Sequence, residues 1–361
     1  MPMNNGAFFR LLSPQHLYFS AALFGLLTII LVGMIYLFLY IKKRRFRVKE
    51  IITDQLNDWI GEQMAMEEDG SFGTAPDFSV HFKKKYVRQF VTEHLINFKK
   101  SVAGYLSDNV VRLYEQTGLK KDSEAKMKSF RWHLRSRGIY ELYMMQQRES
   151  LSDILDYTNS NNEYVRMEAQ TALVGFDGFK GLVFLNTLNY PLYEWQQIKL
   201  LEQLDAFNSE EMPHLSFWLR SPNSYVVQFA LKLTEVYQQF RVHQEVVLCL
   251  HSDNHKIRNQ AIKTLGSISH EDTVAILRQQ YPTENTANQL EILKQTGING
   301  TEEDIEFLKT RLYEEDDSLK LEAGRAIIAI NPGHIAALNH IAEHNPIIHS
   351  ITNQIKYERA S

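Results

Sequence analysis

Residues 254–266 read Asn-His-Lys-Ile-Arg-Asn-Gln-Ala-Ile-Lys-Thr-Leu-Gly, and the spacing inside this stretch decides the fold. Asn254 stands where a helix N-cap belongs, with a side-chain oxygen able to take an orphan backbone N–H. Ile257, Ala261 and Leu265 follow at i, i+4 and i+8 on one helix face, and Gly266 marks a turn. The same order returns at Asn162 with Val165, Arg166, Ala169 and Leu173, at Asn223 with Val226 and Ala230, and at Asp316 with Leu319, Lys320, Ala323 and Ile327. These starts lie 61, 31 and 62 residues apart, which predicts weaker copies near 193 and 285. Tyr193 with Leu200 and Leu204, and Asn285 with Ile292, Thr296 and Gly297, fill those places; Arg131 with Leu134, Arg135, Gly138 and Leu142 makes a seventh.

Between the copies runs a second apolar segment: Leu151–Tyr157, Leu182–Leu188, Leu215–Leu219, Val246–Leu250, Val274–Leu277, Ile305–Leu312 and Ile335–Ile341. Two short helices per unit follow, and a unit of about 31 residues is too small to bury its own apolar face, so neighbours must stack. The pattern over Arg131–Ile341 resembles the HEAT family, and most closely its short bacterial form, the HEAT-like repeat of phycobilisome lyases; Asn162–Leu173 and Asn254–Gly266 lie nearest the family pattern. The resemblance implies an all-α fold, a right-handed α-solenoid of HEAT-like helix pairs, and fold alone does not give function.

Leu17–Ile41 is an uncharged run of 25 residues (LYFSAALFGLLTIILVGMIYLFLYI), longer than the roughly 20 needed to cross a bilayer core. It reads as one transmembrane helix. Lys42, Lys43, Arg44, Arg45, Arg47 and Lys49 follow it and only Arg10 precedes it among charged side chains, so the array is expected on the cytoplasmic side and residues 1–16 outside. A cleaved signal peptide is the competing reading, against which stand the length of the run and the basic residues at its far end. The six cations are expected to meet lipid headgroups.

Residues 42–66 read as a basic juxtamembrane stalk helix, 67–79 (with EEDGSFGTAPD) as a flexible loop, 80–130 as a helical N-terminal cap and 131–361 as the array. Charge differs by region: residues 83–137 hold 14 Lys/Arg against 5 Asp/Glu, whereas 138–361 hold 18 against 30, beneath a formal net of −4. The acidic array suggests a partner with a basic patch. A single cysteine, Cys249, excludes an intrachain disulfide framework, and its apolar setting marks a core thiol.

Motifs that imitate catalytic chemistry do not hold together. His340-Ile341-Ala342-Glu343-His344 fits the H-x-x-E-H zinc pattern, but too little chain follows to supply a further ligand. Cys249, His251 and His255 offer three ligands where structural zinc sites close four. No phosphate loop, nucleophile elbow or CxxC pair occurs. No catalytic residue, metal site, cofactor or small-molecule substrate is therefore expected.

Aligning the copies puts His133, Tyr164, Trp195 and Tyr225 at one position, just before the aliphatic. They are the candidate partner-binding row, since aromatic residues dominate binding hot spots; the alternative is that they wedge between units and set the stacking angle. Arg135, Arg166, Arg258 and Lys320 make a second row, which in HEAT-like repeats bonds to an acid of the next unit. These readings give a single-span bacterial inner-membrane scaffold that binds a cytoplasmic or membrane-associated protein. Leu113–Leu119, the Trp132 region and Pro191–Gln197 resemble membrane-anchored bacterial HEAT proteins linked to envelope polysaccharide machinery. Two alternatives are a phycobilisome-lyase-like enzyme, and a nucleic-acid-binding protein using 83–137 with Tyr86, Phe90 and Tyr105 as stacking residues; no nucleic acid is expected, because the array is acidic.

Overall fold

The computed structural model describes residues 14–65, 74–78, 80–207, 212, 214–343 and 345–360. Among them every regular element is helical, and the chain divides into two compact units, 1–125 with 144–146, and 126–143 with 147–361. Residues 1–13, most of the expected loop 67–79, and His344 lie outside the described residues.

The first unit is built on α1 (Pro14–Ala65), a continuous helix of 52 residues. No residue of its most apolar window is buried, and this window has a mean hydropathy of 2.6: one helix here is long and apolar enough to span a membrane. Its C-terminal part behaves differently. Val48, Ile52, Leu56 and Trp59 recur at three- and four-residue steps and are buried, forming a core with Val87, Val91 and Leu95 of α2 (Lys85–Lys99) and Val110, Leu113 and Tyr114 of α3 (Tyr105–Gln116). A buried amide pair, Asn109 Nδ2 to Gln63 Oε1 at 2.8 Å, joins α3 to the end of α1. The segment read as a stalk is thus part of a packed unit, and Phe78, from the segment read as a loop, is buried as well. Helix α4 (Leu119–Met127) is tied in by an Arg88–Asp122 ion pair and by Arg88 Nη2 donating to the Gly118 carbonyl at 3.1 Å.

The second unit is the stack of pairs. Helices α5 (Trp132–Met144), α7 (Glu163–Asp177), α8 (Glu194–Leu204), α10 (Ser224–Val236), α12 (His255–Ser267), α14 (Thr286–Asn299) and α16 (Asp317–Ile330) carry the seven copies. Shorter helices alternate with them: α6 (Leu151–Leu155), α9 (Leu215–Leu219), α11 (His243–Cys249), α13 (Thr273–Gln280), α15 (Ile305–Arg311) and α17 (Ile335–Ala342). All five Asn or Asp caps form: Asn162, Asn223, Asn254, Asn285 and Asp316 each accept a backbone N–H of the first turn, at 2.8–3.2 Å. Ala169, Ala230, Ala261 and Ala323 are fully buried, where small size lets the neighbouring helix approach. Gly297 permits a close approach of backbones: a Cβ there would lie 2.8 Å from Ala326 Cα, so α14 and α16 meet backbone to backbone.

Three features depart from the sequence reading. Gly266, expected at a turn, lies in the last turn of α12, where it is buried against the Gln295 side chain of α14. Most of the apolar segment at 182–188 lies in a 3-10 helix, Gly178–Asn186, rather than an α-helix. Gly178, at φ +57, ends α7, and Phe179, Leu182 and Leu185 then recur every three residues, so a helix of three residues per turn buries all of them on one face. An eighth copy also closes the stack. Asn345 accepts from the N–H groups of Ile347 (3.0 Å) and Ile348 (3.3 Å) and caps α18 (Pro346–Ala360), whose Ile348, Ile351 and Ile355 are buried.

Candidate functional site: a polar groove on the array

The capping turns fix how each long helix enters the stack, and they are built alike. Ser160, Ser221 and Ser252 each accept the backbone N–H of the Asn two residues on, at 3.2–3.3 Å. Arg166 and Arg258 each reach back to the carbonyl of that serine, Ser160 or Ser252, at 2.7 Å. The basic row also meets the next unit. Arg258 Nε pairs with buried Glu284 at 2.7 Å, Arg166 lies 4.4 Å from the centre of the Tyr190 ring, and Arg135 lies 5.1 Å from that of Tyr157. Lys320 stays on its own helix, with Asp317 at 2.6 Å. Three of the four residues in the basic row are therefore used in stacking, with an acid as partner at Arg258 and an aromatic face at Arg135 and Arg166.

Held in this register, α8, α10, α12 and α14 line a groove of about 640 Å³. Lys232, Lys263 and Lys294 stand nine residues past the caps Asn223, Asn254 and Asn285, so three successive helices offer a cation at one position. Lys232 is paired with Glu235 at 3.1 Å, and Gln260 of the next helix donates to the same carboxylate at 2.6 Å. Glu291 accepts from Gln295 Nε2 at 2.7 Å. Among the described residues no ion pair engages Lys263 or Lys294. Arg325 continues the row past Asp316 but is closed off by Glu322 and by both oxygens of Glu358. The groove wall holds four lysines, the three above with Lys256, against Glu194, Glu235 and Glu291, so this face does not share the net acidity of the array. Nothing in the pattern of types singled this row out at sequence level except the 31-residue spacing of the lysines, which is plain once the caps are aligned.

The aromatic positions lie along the same helix starts. Tyr164 and Trp195 are 57 % and 47 % exposed, His133 is exposed and Tyr225 half-buried. They do not pair with one another: Tyr164 stacks on Trp132 with ring centres 5.1 Å apart, and Tyr225 meets Tyr193 edge-on at 6.1 Å. Trp132 and Tyr193, both about half exposed, are thus part of the same surface, and Tyr193 and Tyr225 form one end of the groove.

Other candidates are placed away from this groove. Cys249 is buried, and burial, then Glu245, pushes its thiol up to about 11, which keeps it protonated and unreactive. His243 and His270 have ring centres 4.5 Å apart; burial, then His270, holds His243 below the usual histidine range, and its Nε2 is 3.0 Å from Thr273 Oγ1. Among the described residues no three His, Cys, Asp or Glu side chains group as a metal site would require. Lys42, Lys43, Arg44, Arg45, Arg47 and Lys49 fall on exposed turns of α1, where Arg45 and Lys49 cover the rings of Tyr86 and Phe90, two of the residues considered for base stacking.

Comparison with known proteins gives a family for part of this array. Residues 244–328, which contain the Asn254, Asn285 and Asp316 copies, match HEAT repeats. No curated protein matches the chain. Solved structures similar to it include two engineered proteins from the Northeast Structural Genomics Consortium. One is 13 % identical with a TM-score of 0.39, covering 73 % of this chain and 82 % of its own; the other is 12 % identical with a TM-score of 0.23, covering 71 % and 94 %. From the matched repeats and the capped, stacked pairs around them, this chain is a HEAT-like repeat protein.

Proposed function

We propose that the chain is a single-span membrane scaffold whose array holds a cytoplasmic protein partner along the groove of α8, α10, α12 and α14. The observation that carries this reading is the pair Lys263 and Lys294, two aligned cations of a polar groove that no carboxylate of the described chain engages. Amide side chains beside them, from Gln197, Gln228 and Gln260, suit the backbone of an extended segment whose acidic groups the two lysines would take. The exposed rings of Tyr164 and Trp195 supply apolar anchors farther along the helix starts. The basic segment after the apolar run supports a cytoplasmic array. Anchoring acts by concentration: a partner held at a surface meets other membrane components more often without new chemistry. Resemblance to bacterial envelope proteins of this build makes polysaccharide machinery the first place to seek that partner.

Crosslinking mass spectrometry on native membranes tests the reading. Wild type is expected to capture a specific protein that Lys263→Glu/Lys294→Glu loses at equal abundance, with Tyr164→Ala/Trp195→Ala weakening capture further along the array. Capture that survives both variants places binding elsewhere, and no specific capture by wild type removes the scaffold reading.

A further inference from the structure

A second groove, of about 790 Å³, lies within the first unit between α1 and α2. Its α1 wall is formed by Phe38, Ile41, Lys42, Arg45, Phe46 and Lys49, which follow one another at i, i+3, i+4, i+7, i+8 and i+11 and so share one helix face. That wall is graded along the axis, apart from Phe46, which stands among the cations. Phe38 and Ile41 end the uncharged run, and the three cations follow within about two turns, some 10 Å farther on. The facing wall presents Tyr86 and Phe90, one turn apart, with Gln89 and Glu93 beside them.

The cations are held against the groove. The Arg45 guanidinium lies 5.2 Å from the centre of the Tyr86 ring, and the Lys49 ammonium lies 4.7 Å from that of Phe90. One carboxylate shares the site, that of Glu93, which accepts from Gln89 Nε2 at 3.1 Å. Three cations against one acid leave a net positive site with an apolar floor. Lys43, Arg44 and Arg47, from the same basic segment, lie outside it.

We infer that this groove binds one anionic phospholipid, its acyl region against Phe38 and Ile41 and its phosphate on Lys42, Arg45 and Lys49. The inference rests on reading Leu17–Ile41 as a membrane span. That run is about 37 Å long as a helix, so its last turn reaches the headgroup layer, where the groove's apolar part meets its cationic part. A wholly aqueous peptide would match the charge but not the floor; a zwitterionic lipid would match the floor but not the net charge.

The test is native mass spectrometry of the full chain in detergent, with phosphatidylglycerol or phosphatidylcholine added. Wild type is expected to retain phosphatidylglycerol and to release phosphatidylcholine. Lys42→Gln/Arg45→Gln/Lys49→Gln should lower retention by roughly tenfold or more, while Lys43→Gln/Arg44→Gln/Arg47→Gln, which removes the same charge, should lower it by less than about twofold. Equal loss in both variants, or equal retention of both lipids, overturns the site. A photoactivatable phosphatidylglycerol on wild type gives a reading independent of variant folding: adducts on 38–49 and 86–93 support the groove, and adducts spread along α1 overturn it. Carbonate extraction of wild-type membranes separates the two claims. Protein that stays in the pellet keeps the span whichever way the lipid result falls; protein that washes off sinks the span and the groove with it.

Discussion

The two ends of α1 use the same residue types to opposite effect. Between residues 18 and 41 its large apolar side chains are all exposed, Leu31 at 55 % and Ile29 at 71 %, whereas Ile52 and Leu56, a few turns later, are fully buried. The later part is apolar on one stripe and finds α2 and α3 to cover it. The earlier part is apolar all round, so no single neighbouring helix could cover it, and its length and apolarity are those a membrane span requires.

The largest effect expected from that contrast is on stability. Leu56→Ala should cost about 2–5 kcal/mol, the usual range for truncating a fully buried leucine, while Leu31→Ala should leave chemical unfolding of the detergent-solubilised chain unchanged. Equal losses at the two positions would erase the distinction. Next comes the membrane itself: Ile30→Arg places a charge in the middle of the run at about 2.5–3.5 kcal/mol, and the carbonate-resistant fraction should fall sharply. The same contrast between residues used by the fold and residues left facing outward recurs in the array. Asn254→Ala removes a formed cap and should cost about 1 kcal/mol in thermal or denaturant unfolding, whereas Lys263→Ala, nine residues on and without an ion pair among the described residues, should stay within about 0.5 kcal/mol.

The smallest expected effect is on pH dependence. Burial opposes the charge on Glu284, but hydrogen bonds from Arg258, Gln280 and Asn288 outweigh it and hold the carboxyl below the usual range. A folded value below the unfolded one contributes stability that is full above the unfolded value and is lost as pH falls through the folded value. Unfolding midpoints should therefore drop from about pH 6 to about pH 3, and Glu284→Gln should flatten that acid limb. An unchanged limb would mean that other carboxylates govern it.

Much of the fold was legible because its signals are local. A cap needs an oxygen at one position, and an aliphatic, Ala and Leu face needs only helical spacing, so the Asn254 stretch reports its own structure. The 3-10 helix at Gly178–Asn186 was legible in principle from the three-residue recurrence of Phe179, Leu182 and Leu185, which an eye set for 3.6 passes over. The eighth copy was harder: Thr352 replaces Ala and Pro346 occupies the first turn, although Pro is well suited there because that N–H has no helical partner. The candidate sites were legible least. Position numbers put Tyr164, Trp195 and Tyr225 in one row, but the rings that meet are Trp132 with Tyr164 and Tyr193 with Tyr225, because neighbouring side chains lean across the row.

By itself the sequence determined the repeat, its caps, its small-residue faces and the apolar helix, all of which rest on spacing along one chain segment. The tertiary structure alone decided which residues of equal type the described packing engages. It spent Arg166 and Arg258 on stacking while leaving Lys263 and Lys294 in a groove, and it divided six adjacent cations into three that line the α1–α2 groove and three that do not. A charge finds its partner through space, at a distance that only packing sets, and the linear order of residues carries no record of it.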